Sequence, residues 1–247
     1  LTHPRALAYA ALGLHRYLLA YPGADAVRDR LAAVADDLAA RYDAHAGPGW
    51  AWFADEMTYA NAVLPHALLR ASGVLGTGHL LRIGLEALDF LAEASFREGY
   101  FDAVGNDGWW RRGGVPATFD QQPIEAGYMA DACATAWALT GEPRWSARAV
   151  AAAEWFYGRN RLGACLFDVE TGACFDGFTP RGVNQNQGAE SAVACALALL
   201  AVDELRAAGA PLGRSAATVE RPAVAGSGDG AGSARLPALR APGPRRP

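Results

Sequence analysis

Residues 122–160 read QPIEAGYMADACATAWALTGEPRWSARAVAAAEWFYGRN. Apolar residues recur at helical spacing on both sides of Gly141-Glu142. Pro123 suits a first helical turn, where its missing N–H leaves no bond unmade. Gly141 is a stop signal. The stretch therefore predicts two helices, 122–140 and 143–159, joined by a two-residue link: a helical hairpin.

The pattern extends outward. Helices are expected over 4–20, 24–44, 56–73, 77–95 and 188–208, with Pro22-Gly23 ending the first and Gly73 the third. Links within hairpins are short (Tyr21 to Gly23, Val74 to Gly76). Links between them are long: Gly47 to Asp55, Phe96 to Gln121, Asn160 to Gln187. Long loops in a compact domain tend to be functional, and these three are rich in Trp, Tyr, Phe, Asp, Asn and Gly. Because they join successive hairpins, they must emerge at one end. Helices that follow them (56–73, 122–140, 188–208) form an inner row with their N-termini at that rim. The predicted fold is all-α: an (α/α)-toroid of helical hairpins with about seven helices, an incomplete ring spanning 1–208. Residues 209–247, rich in Ala, Gly, Pro and Arg and lacking aromatics, are expected to be a disordered tail, since they bury too little to offset chain entropy.

Of the 247 residues 51% are hydrophobic and 19% charged, enough for a sizeable core, and the net charge is -4. That balance gives no reason to expect nucleic acid or an anionic membrane as partner. All basic residues but the five His are Arg. Cys133 and Cys195 lie in Ala-rich helical runs and read as small core residues. Cys165 and Cys174 flank a loop and can meet, with reduced thiols expected. No metal-ligand spacing occurs, and no cofactor motif. No apolar run spans a membrane and no signal-peptide pattern is present, so a cytoplasmic location is expected. A chain starting at Leu1 is expected to lack a natural N-terminal part.

Three constellations carry candidate chemistry. Trp50-Ala-Trp52-Phe53-Ala-Asp55-Glu56-Met-Thr58-Tyr59-Ala-Asn61 sets aromatics before two carboxylates at an expected helix start. Gly105-Asn106-Asp107-Gly108-Trp109-Trp110 precedes Phe119-Asp120-Gln121-Gln122-Pro123-Ile124-Glu125. Phe175-Asp176-Gly177 precedes Asn184-Gln185-Asn186-Gln187-Gly188-Ala189-Glu190-Ser191. Paired carboxylates in different environments are the machinery of glycosidic cleavage. Trp rings suit sugar faces, and amides fix hydroxyls with both donors and acceptors. The Gln-x-x-Glu spacing at 122–125 and 187–190 is repeated at two expected helix starts. Acidic residues there also favour the helix dipole, so capping is the competing account. His66 reads as an ordinary helix residue.

These strings resemble the six-hairpin glycosidase-like domains of bacteria, in particular the branch associated with glycosyltransferases. The resemblance covers roughly residues 1 to 205. It implies an (α/α)6 toroid with a sugar cleft at the rim where the inner helices begin. It places Asp55, Asp120, Gln121, Glu125, Asn184, Asn186 and Glu190 on the family's polar signature. A full ring there carries more hairpins than are read here, and Ala54 stands where an acidic residue often sits. The implied function is carbohydrate metabolism, as a glycoside hydrolase-like enzyme. Glu125 would be the general acid and Glu190 or Asp120 the base, with Asp55 a further catalytic candidate. Trp52, Trp109 and Trp110 would be sugar platforms, and Tyr59, Asn61, Gln121, Gln122, Asp176, Asn184, Asn186 and Gln187 polar contacts. A glycan or small saccharide is the expected partner, and the resemblance adds a glycosyltransferase as a second. A non-catalytic glycan-binding or scaffolding domain is the alternative, and a sugar epimerase or isomerase ranks lower because no His falls in the three rim motifs.

Overall fold

The computed structural model describes residues 2–97 and 99–212. The tail expected from 209 lies outside them beyond Leu212.

Seven helices form among the described residues: α1 (Pro4–Ala20), α2 (Asp25–His45), α3 (Val63–Leu75), α4 (Gly78–Ser95), α5 (Pro123–Thr140), α6 (Pro143–Glu154) and α7 (Ala189–Ala207). Proline opens α1, α5 and α6, where it removes only an N–H the helix does not use. Gly76 and Gly141, at φ 67° and 71°, close α3 and α5 in the left-handed conformation.

The third helix departs most from expectation at both ends. Residues 56–62 are not helical. Glu56–Met57 is a short strand, β1, and Ala60 takes φ 47° before the chain turns into α3. At the other end Gly73 stays helical and Gly76 is the stop. The sixth helix ends at Glu154, because Trp155 and Phe156 turn into the core.

α1, α3, α5 and α7 pack side by side in that order, with α2, α4 and α6 behind them. This is the arrangement of helical hairpins in a partial (α/α)-toroid. Burial follows it. α3 and α5 are covered on nearly all sides, whereas α4 and α6 bury one stripe each. α5 and α7 approach closely because Gly127 faces the Ala194 backbone: a Cβ on Gly127 would sit 2.6 Å from the Ala194 oxygen. Outside, Arg144 and Arg148 on α6 both bond Asp89 on α4, and they flank the Trp145 ring.

The three long loops make one layer at the N-terminal end of α3, α5 and α7. β1 pairs with β4 (Trp110–Arg111), joining the first loop to the second. Gln121 bridges to Phe178, joining the second to the third. β2 (Phe96–Arg97) pairs with β3 (Tyr100–Phe101), and β5 (Phe178–Thr179) with β6 (Gly182–Val183). No helix among the described residues is long and apolar enough to cross a membrane.

The packing sets opposite signs for two helix-interior glycines. Gly127→Ala should cost about 1–3 kcal/mol through overpacking against α7. Gly73→Ala, whose Cβ meets only the Leu139 side chain at 3.5 Å, should add about 0.5–1 kcal/mol. Urea unfolding of both variants checks the signs.

Candidate functional site

The loop layer buries one carboxyl at the start of α5. Glu125 stands three residues after the N-cap Gln122 and is 5% exposed. Its Oε2 accepts from the Asn61 backbone N–H at 3.2 Å and the Asn61 Nδ2 at 3.3 Å. The Ala60 N–H bonds the same carboxyl. Left-handed Ala60 followed by Asn61 points two successive backbone N–H groups at one place, an anion-holding nest. Glu125 Oε1 and Asn61 Oδ1 are buried and have no partner among the described residues. Burial pushes the Glu125 pKa up to about 7 against the opposing pull of the Asn61 and Ala60 bonds and the Arg5 charge.

Groups from three other elements surround this carboxyl. Arg5, in the first turn of α1, donates to the Tyr59 carbonyl and the Thr58 hydroxyl, and its guanidinium lies 4.6 Å from the centre of the Tyr59 ring. Tyr9, one turn further, meets Tyr128 of α5 edge-on at 5.9 Å. Its hydroxyl is held well above the usual phenol range by burial first, then by Tyr128, Tyr59 and Glu190. Glu190 is thus electrostatically joined to the cluster from α7, and it is exposed. Tyr59 is 45% exposed and offers a ring to solvent beside Arg5.

Of the sequence-derived candidates, Glu125, Asn61 and Tyr59 come together here, and Glu190 acts on the cluster through its charge on Tyr9. The two Gln-x-x-Glu strings do not superpose. The N-cap is Gln122 in α5 but Gly188 in α7, so Glu125 is the third helical residue and Glu190 the second. Gln122 itself makes no side-chain cap.

Asp120 lies apart from the buried carboxyl. It holds φ 57° and, with Asn106, Asp107, Thr179 and Arg181, lines an open depression of about 580 Å³. Trp109, at φ 52° and 40% exposed, belongs to the adjoining loop. Gly105 is required there, since a Cβ would fall 1.8 Å from the Phe119 oxygen.

Burial corrects Trp52 and Gln121, and other candidates make contacts of their own. Trp52 is 1% exposed and packs edge-on against Phe53, so it offers no face to a ligand. Trp110 packs on Trp50 and Phe90 and donates its indole N–H to the Gly114 carbonyl. Asp55 points outward to Arg112 at 3.4 Å, and its neighbour Glu56 pairs with Arg111 at 2.8 Å. Gln121 is wholly buried. It accepts from the Ala103 N–H and the Trp155 indole, and donates to Asp102 at 2.7 Å and to the Thr118 carbonyl. Asp102 in turn takes both arms of the Arg161 guanidinium. Asp176 serves the start of α7, accepting from the Gly188 N–H at 2.7 Å, the Ser191 hydroxyl and Asn186. Asn184 accepts from the Asn186 N–H within its own turn. Gln187 stands exposed beside Asp168. Cys165 is exposed and all four cysteines are free; the Cys174 and Cys195 thiols share a hydrogen bond.

Arg5, Tyr9 and Tyr128 were not singled out in the sequence. Arg5 and Tyr9 sit in an unremarkable amphipathic helix, and only the packing of α1 against α3 brings them to the carboxyl. Among the described residues no three His, Cys, Asp or Glu side chains stand together as a metal site. Compared with known protein families and with curated proteins, the chain matches none.

The Glu125 environment has a pH signature. Its folded pKa, about 7, lies above the ordinary value of 4.5, so the native state holds this proton more tightly than the unfolded chain. The stability it contributes is full below pH 4.5, declines between 4.5 and 7, and is gone above 7. Over that window the loss amounts to roughly 2–4 kcal/mol. Glu125→Gln should remove this slope and be more stable than the parent at pH 8, as denaturant unfolding across pH 4–8 would measure.

Proposed function

We propose that the chain is a carbohydrate-active protein that cleaves a glycosidic bond, with Glu125 as the proton donor. The observation that carries this reading is a buried carboxyl at the rim where the inner helices begin, its pKa pushed up to about 7 by burial. A general acid works best with a pKa near the operating pH, and a carboxylic acid raised by an apolar pocket is the pattern of glycosidase acids. The hydrogen bonds also choose the atom. Oε2 already accepts two N–H groups of Asn61, so the proton is favoured on Oε1, which has no partner among the described residues.

In the cleavage this implies, Glu125 gives its proton to the glycosidic oxygen as the bond to the anomeric carbon breaks. Water adds to that carbon and gives its proton to Glu190, the exposed carboxylate on the neighbouring inner helix. Arg5 holds the Glu125 carboxylate left behind, and the open faces of Tyr59 and Tyr9 suit a sugar ring. Glycan capture without turnover is the second reading. It draws on the wide depression lined by Asn106, Asp107, Asp120 and Arg181, whose donors and acceptors suit hydroxyl groups.

Incubation with manno- and gluco-oligosaccharides, with chromatographic product analysis and a parallel binding titration, separates the two. Hydrolysis by the parent, falling 10²–10⁴-fold on the order expected for a general acid in Glu125→Gln with binding retained, supports cleavage. Parent-like turnover in that variant removes Glu125 from the chemistry, and saturable binding without products leaves capture. The rate should also fall as pH rises past about 7, because the donor then loses its proton.

A further inference from the structure

The third long loop meets α7 along a seam of its own. Phe175 donates its N–H to the Leu166 carbonyl and Cys174 bridges to Phe167, so the chain runs extended through Cys174 and Asp176. In an extended segment, side chains two residues apart share a face and stand about 6.6 Å apart along the chain. In a helix, residues four apart share a face and rise about 6 Å. The two spacings match at this seam. Asp176 accepts from the Ser191 hydroxyl, and Cys174 shares a hydrogen bond with Cys195, one turn further along α7.

The other two thiols are engaged elsewhere. Cys133 lies against Met129 on its own helix, with 3.7 Å between the sulfurs. Cys165 is exposed, and its thiol is directed to the Phe167 carbonyl at 3.2 Å and the Phe156 carbonyl at 3.5 Å. Cys174 and Cys195 are free, at 1% and 2% exposure. Their shared hydrogen bond brings the two sulfurs close from opposed backbones, which is what a disulfide requires. The Asp176 bonds to the Gly188 N–H and the Ser191 hydroxyl hold those backbones in register.

We propose that Cys174 and Cys195 are a site of disulfide formation, closed by a small-molecule disulfide such as oxidised glutathione as the chain folds. The pair needs no access path in the finished fold, because both thiols are open to solvent in the unfolded chain. One protein thiolate attacks a sulfur of oxidised glutathione and displaces a glutathione thiolate. The second protein thiolate attacks the mixed disulfide and displaces the other. Two protein thiols are oxidised, one glutathione disulfide is reduced to two thiols, and the two protons end on the released glutathione. The bond closes a loop of about twenty residues. It fastens the third loop to α7 one turn beyond the Asp176–Ser191 contact, below the helix start that carries Glu190. Burial of both sulfurs then shields the bond from reductant.

Refolding of the whole reduced chain from urea into a glutathione redox buffer is the test. Acid quenching, alkylation of the remaining thiols and mass spectrometry of proteolytic peptides identify the bonded pair. The expected product is the Cys174–Cys195 cross-link, with Cys133 and Cys165 outside it, in a chain that keeps the circular dichroism of the reduced form. The native fold should favour this bond on the order of 100-fold over the same redox buffer in concentrated urea, the chain-entropy value for a loop of this length. Cys165→Ser, at an exposed position, should leave the yield unchanged, and Cys195→Ser should remove the bond. Absence of the cross-link, a cross-link through Cys165 in place of Cys195, a cross-linked chain without its helix signal, or equal yields with and without urea would each overturn the assignment. No readout involves sugar cleavage, so the outcome is separate from that of the rim.

Discussion

A buried carboxyl has to be answered by donors or by a proton, and at Glu125 the chain supplies some of each. The Asn61 backbone N–H and side-chain amide hold Oε2 and the Ala60 N–H bonds the same carboxyl, while Oε1 has no partner among the described residues. That arrangement fixes the local structure. The donors come from Ala60 and Asn61, so the chain before α3 must reach the start of α5 and turn there in a left-handed conformation that a non-glycine residue rarely adopts. Local strain of this kind survives only where surrounding contacts over-determine it. Here Ala60, Asn61, Ala62 and Val63 are all fully buried.

The same constraint separates scaffold from site within the loop layer. Gln121 and Asp102 use their polar atoms on Ala103, Trp155, Thr118 and Arg161. Asp176 uses its oxygens on the first turn of α7. These groups are satisfied, and a satisfied buried network rigidifies what it joins. They hold the second and third loops in register through the Gln121–Phe178 bridge. A Cβ on Gly177 would fall 2.0 Å from the Gln121 oxygen, so the approach of those loops depends on glycine. Glu125 differs because the supporting network stops one oxygen short.

Helix pairing was legible in the sequence because proline and glycine punctuate it: Pro123, Gly141 and Pro143 bracket the α5–α6 hairpin where periodicity placed it. The alternation of short and long links also located the rim. Less legible was which polar and aromatic residues are spent on structure. Asp55 and Glu56 look like a helix start, yet the helix begins at Val63, because β1 pairing with β4 claims residues 56 and 57. Trp52 and Trp110 look like sugar platforms, but each ring finds aromatic partners in the core and along α4. Gln121 looks like a ligand contact, and its side chain is spent on cross-links. Arg5 and Tyr9 carry no local signal: more than fifty residues separate Arg5 from Tyr59, and only the packed inner row makes them neighbours. Composition and spacing can indicate that polar residues gather, but which of them remain unsatisfied is a property of packing.

That distinction applies along the whole inner row. An inner helix of a toroid is buried by its neighbours and by the outer helices, so a polar residue on it must find a partner or face the concave side. α5 shows both results. Thr135 bonds the Asp131 carbonyl of its own helix, whereas Glu125 and Asp131 direct their carboxyls towards the side where α1 and α7 also converge. His66 on α3 resembles Glu125 on α5, with one polar atom bound and the other buried without a partner among the described residues. Burial moves the two in opposite directions, pushing the carboxyl pKa up to about 7 and the imidazole pKa down to about 4. One physical cause, desolvation within a row of helices, thus favours the neutral form of both.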